Sequence, residues 1–136
     1  MSNLTQVYTD TDAEILGDCY RTALACLLGL DDPQEVPHFV AMYDGQKGRW
    51  WTESVAWVEE HRPGWTMLSG DPVFPSYTEP EISPKYLIGS GPSPRGDWMH
   101  CVLLDAVTGD MVWDPHPSRD GLAGPPLDLI LLVPSS

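Results

Sequence analysis

The sequence predicts an α+β fold, with N-terminal helices packed on a C-terminal antiparallel β-sheet. Three observations carry this expectation. Apolar residues at Cys19, Ala23, Cys26, Leu27 and Leu30 recur near the period of an amphipathic helix. Two short apolar runs, 100–104 and 111–114, flank Val107-Thr108-Gly109-Asp110, which is the pattern of a β-hairpin. A third apolar run over 127–133 suits a final strand. Helices first and strands afterwards is the α+β order. A chain of 136 residues with no repeat and no linker fits one domain spanning 1–136, large enough for a real core.

Taken in order, residues 1–16 are polar, with a short strand or extended arm around Gln6-Val7-Tyr8. The first helix follows, capped by Gly17 or Asp18 and ended by Gly29. Asp31-Asp32-Pro33 opens a turn, and 33–39 reads as one short helical turn with apolar anchors. After a loop at 45–48, a second helix runs over about 49–61, with Trp50, Trp51, Ser54, Val55, Trp57 and Val58 as its packing face; Pro63-Gly64 stops it. Residues 65–68 form a short strand. Pro72, Pro75, Pro80 and Pro84 make 70–84 an irregular surface segment. A strand resumes at 86–89, and 90–97 and 115–126 are loops rich in Gly, Pro or Ser.

Composition bounds the function. A hydrophobic content of 42% and six Trp describe a folded chain. No apolar run approaches the roughly 20 residues that a membrane helix needs. No secretory leader is evident, so the expected compartment is the cytoplasm. Twenty acidic residues against seven basic ones give a net charge of −13. That balance argues against nucleic-acid binding, which needs a basic footprint, and leaves room for a basic protein partner. Three cysteines without a leader suggest free thiols. Zinc is not expected, because no C-x-x-C or H-x-x-x-H spacing exists; only a spatial meeting of Cys19, Cys26 and His100 would make a site. No cofactor is called for.

The chemistry centres on Cys19. A helix N-terminus carries partial positive charge, and a thiol there is expected to shift toward thiolate, the nucleophilic form. A cysteine hydrolase also needs a histidine to carry the proton and a third group to orient it. His100 starts one strand of the hairpin and Asp114 ends the other. If 108–110 form the turn, Asp114 faces Leu104, four positions along from His100 and roughly 13 Å away at strand rise. Contact then requires a bulge, a wider loop or strong twist. Cys26 lies on the apolar helix face, and Cys101 points to the opposite strand face from His100; both read as structural.

Gly17-Asp18-Cys19 opening an apolar helix, then His100-Cys101-Val102 and Trp113-Asp114-Pro115 on successive strands, resembles the papain-like cysteine peptidases, most of all the bacteriocin-processing type. The stretch from Gly17 through Val36-Pro37-His38-Phe39, with Asp114-Pro115-His116-Pro117-Ser118 later, is also similar to small bacterial and phage proteins. The resemblance implies a papain-like domain with Cys19 as nucleophile, His100 as general base and acid, and Asp114 as orienting group. It also implies an oxyanion-hole Gln ahead of the nucleophile. Gln6 is the only upstream Gln, 13 residues before Cys19 and farther than the family's spacing. The backbone N–H of Cys19 would be the other donor. Tyr20 replaces the family's Gly and would narrow the cleft, which Asp18, Trp98 and His116 are expected to line as well. The expected activity is hydrolysis of an amide in a peptide or protein substrate through an acyl-enzyme. The alternative is a catalytically inactive acidic binding or inhibitor protein on the same fold, for example one encoded by a phage.

Overall fold

The computed structural model describes residues 1–7, 18–43, 46–71, 85–96 and 98–135. The expected strand end at Tyr8, the cap at Gly17, the start of the loop at Gly45 and the prolines at 72, 75, 80 and 84 lie outside the described residues. Helix α1, Cys19–Leu28, is buried on nearly every face, including Arg21 and Thr22. Its period is amphipathic, but neighbours pack on all sides. Asp18 occupies the N-cap position without capping. Its carboxylate instead accepts from Arg21 Nε at 2.9 Å and from the Val7 N–H at 3.3 Å. Gly29 ends the helix at φ +72°, a left-handed conformation that a β-carbon would strain.

The expected single turn at 33–39 is two elements. A 3-10 turn, Pro33–Glu35, is closed by an Asp32/Glu35 capping box, and helix α2, Phe39–Met42, follows. Pro37 separates them, since it donates no N–H and holds Val36 extended. Helix α3, Lys47–His61, starts two residues earlier than expected. It meets α1 through a Tyr20–Ser54 hydroxyl pair at 2.9 Å and an edge-on Tyr20–Trp50 contact at 4.9 Å.

Five strands follow: β1 Trp65–Gly70, β2 Tyr86–Pro92, β3 Met99–Asp105, β4 Met111–Trp113 and β5 Asp128–Pro134. They form one antiparallel sheet in the order β1-β5-β2-β3-β4. The α+β order is therefore observed: helices packed on a five-stranded antiparallel sheet. Strand β2 runs past its expected end, because Ser90, Gly91 and Pro92 pair with Cys101, His100 and Met99. A terminal proline is tolerated there.

The two sheet faces divide the core. Met67, Ile88, Cys101, Leu103 and Ile130 pack against α1, while Leu87, Val102, Leu104, Leu129, Leu131 and Val133 form a second cluster with Leu122. The second face leaves no room at Gly89, where a β-carbon would lie 2.5 Å from Leu104 Cδ1. Leu104 is buried, so its side chain could shift only by disturbing the second cluster. Gly89→Ala is expected to cost about 1–3 kcal/mol, read as a lower denaturant midpoint at unchanged slope. Among the described residues, no helix is long and apolar enough to cross a membrane.

Candidate active site

The hairpin places the histidine and the aspartate. Asp105 accepts from the N–H groups of Val107 and Thr108 at 2.8 and 3.0 Å, so the loop is wider than a tight turn. Leu104 pairs with Met111 but Leu103 pairs with Trp113, which leaves Val112 as a bulge. Extended by one residue, this register puts Asp114 level with Val102. It then lies two positions from His100 instead of four, roughly 7 Å along the strand. The side chains span the rest: His100 Nε2 meets Asp114 Oδ1 at 2.7 Å, with both groups fully buried.

Asp114 is held from three sides. Oδ1 accepts from His100 and from the His116 N–H at 2.9 Å, and Oδ2 accepts from the Gly121 N–H at 2.7 Å. Burial alone would raise its pKa; these hydrogen bonds outweigh burial and hold it below the usual carboxylate value. An ionised carboxylate only accepts, so the proton of the pair is assigned to His100 Nε2. Burial disfavours the imidazolium, but Asp114 first and Cys19 next overcome it and push the His100 pKa up to about 9.

Cys19 stands at the first helical position of α1, where the N–H has no acceptor within the helix. Its thiol interacts with the His100 ring and with the Cys101 thiol. His100 Nδ1 makes no hydrogen bond among the described residues and is the nitrogen left for Cys19. The structure thus brings Cys19, His100 and Asp114 together. It corrects two expectations. The Cys19 pKa is raised well above that of a free thiol, not lowered: hydrogen bonding to Cys101 and then burial outweigh His100. Cys101 is accordingly no bystander, although it does pack on the α1 face. Cys26, by contrast, sits at the far end of α1, where its sulfur accepts from the Leu4 N–H at 3.3 Å.

The N-terminal arm closes one side of the site. Ser2 N–H donates to the Cys26 carbonyl, Gln6 N–H to the Pro115 carbonyl and Val7 N–H to Asp18. Gln6 is buried between the start of α1 and the Asp114–Pro115 corner, so its distance in sequence from Cys19 is bridged in space. Arg119 fastens this arrangement. It donates to the carbonyls of Asp114 and His116 and to Thr5 Oγ1, and stacks its guanidinium over the Trp113 ring. Neither Arg119 nor Gly121 is identifiable from sequence, because their partners are backbone groups or a carboxylate reached across a loop.

The four residues expected to line a cleft are placed as follows. Asp18 and Tyr20 are buried, one engaged with Arg21 and Val7, the other packed on α3. Trp98 is half-buried, with its ring folded over Gly96. His116 is buried edge-on to His100, ring centroids 6.1 Å apart, and its Nδ1 accepts from the Ser118 N–H at 3.0 Å. It supports the His100 ring. Comparison with family models, with curated proteins and with solved structures finds no match.

Proposed function

We propose that this protein is a cysteine hydrolase of papain-like type that cleaves an amide bond in a peptide or protein. The observation that carries this reading is the buried His100–Asp114 pair, whose imidazole lies within electrostatic reach of the Cys19 thiol. In the first step His100, in its neutral form, takes the thiol proton at Nδ1 as Cys19 Sγ bonds to the amide carbon. Asp114 stabilises the imidazolium that forms. The Cys19 N–H and the Gln6 side chain are the candidate donors for the oxyanion. Collapse breaks the C–N bond, and His100 gives its proton to the leaving amine. Water then attacks the thioester with His100 as base; the acid leaves and the thiol regains its proton. The three cysteines, all unpaired, suit a reducing compartment such as the cytoplasm.

Two observations favour the second reading, an inactive binding protein for a basic partner. The Cys19 pKa is raised, and the net charge is −13. Labelling separates the two. A peptidyl chloromethyl ketone, whose alkylation step uses the histidine beside the thiol, is expected to modify Cys19 before Cys26 and Cys101, as read by peptide mapping with mass spectrometry. His100→Ala is expected to remove that preference. Equal labelling of all three thiols would sink the hydrolase reading.

A further inference from the structure

A groove of about 480 Å3 opens on the face of the sheet that carries α1. Trp50 and Trp51 of α3 form one wall, Met99 and Ile130 are apolar floor, and Ser90 and Asp128 are polar points along it. The ladder connects it to the nucleophile. Asp128 pairs with Ser90, and Ser90 pairs with Cys101, so the three lie in a line across β5, β2 and β3. Directly paired residues point to one face. Cys101 packs on the α1 face in the same core cluster as Cys19, whose thiol it influences. Met99 precedes His100, and Trp50 rests on Tyr20, the neighbour of Cys19. The groove therefore runs beside Cys101 and Tyr20, the neighbours of the proposed catalytic cysteine, while Cys19 itself is not among its lining residues.

We propose that this groove recognises the substrate, and that it takes an aromatic or long aliphatic side chain of an extended peptide carrying a Lys or Arg beside it. The inference rests on the hydrolase reading for what happens at Cys19, and on the groove alone for what binds. The apolar walls select the first side chain. Asp128 is the only charged residue among those lining the groove, and it is exposed. It lies two strand spacings from Cys101, roughly 10 Å. An extended chain covers that span in about three residues, which sets the basic side chain a few positions from the amide at Cys19. The excess of acidic over basic residues, 20 to 7, favours the same cationic partner.

The test uses three fluorescein-labelled octapeptides that differ only at a central pair, Phe-Lys, Ala-Lys or Phe-Glu. Binding is read by anisotropy on the Cys19→Ala protein, and cleavage on the wild type. Phe-Lys is expected to bind about tenfold more tightly than Ala-Lys, the discrimination an apolar pocket achieves for a truncated side chain. A preference of about fivefold over Phe-Glu is expected from an exposed charge. Asp128→Lys should reverse the charge preference, and Met99→Ala should weaken Phe-Lys but not Ala-Lys. Both positions are exposed, so circular dichroism of each variant should match the wild type. Equal binding of the three peptides, no binding, or preferences unchanged in both variants would overturn the groove. Groove-dependent binding without any cleavage would leave the groove standing and defeat the hydrolase reading.

Discussion

Replacing Asp114 by alanine is expected to destabilise the protein by about 3–5 kcal/mol and to lower the proposed amide hydrolysis by about four orders of magnitude. The stability term follows from burial. Asp114 is 1% exposed, and its removal strands His100 Nε2–H and the N–H groups of His116 and Gly121 at once. The rate term follows from the proton, since His100 would lose both the group that fixes its tautomer and the charge that favours its imidazolium. The pH dependence carries the sign. A histidine raised from 6.5 to about 9 contributes its full increment below 6.5 and loses it as pH climbs through 9, an increment of roughly 3 kcal/mol. Asp114 is lowered, so its share is present above its ordinary value of 3.8 and is lost as pH falls. Wild type and Asp114→Ala should therefore differ most between those limits and converge toward alkaline pH. Urea titrations across that range test this; a stability gap independent of pH would show that the pair is not ionised.

The parts of this fold legible in the sequence are those fixed by local chemistry. The period of α1 and the left-handed stop at Gly29 are written in neighbouring residues. The hairpin is too, through Thr108-Gly109-Asp110. The parity that sets His100 and Asp114 on one strand face is also readable. Their contact is not, because register belongs to the turn. Asp105 widens the loop through two backbone hydrogen bonds, and Val112 drops out of the ladder. Nothing in the spacing of 100 and 114 announces either event. Gln6 is a second case. Its place beside Asp114–Pro115 depends on backbone hydrogen bonds along the N-terminal arm, which any residue type could make. The groove is a third: Trp50, Met99 and Asp128 meet only because β5 inserts between β1 and β2.

Cys101 is where sequence and structure diverge most, and its replacement is the sharper test of the site. Strand alternation assigns Cys101 to the face opposite His100, yet the Cys19 thiol interacts with both. A hydrogen bond that raises a pKa is one made to the protonated form, so Cys101 holds the proton on Cys19 while His100 draws it away. Removing the sulfur should let His100 and the start of α1 prevail. Cys101→Ala is expected to speed carbamidomethylation of Cys19 at neutral pH, because only the thiolate reacts and the largest cause of the raised pKa is gone. The small void should cost about 1 kcal/mol of stability. Cys101→Ser keeps an acceptor at the same place and should leave the rate near wild type. A lost cavity contact would affect both variants alike, whereas a lost hydrogen bond separates them. If Ala and Ser behave the same, Cys101 does not restrain the nucleophile, and burial alone sets the Cys19 pKa.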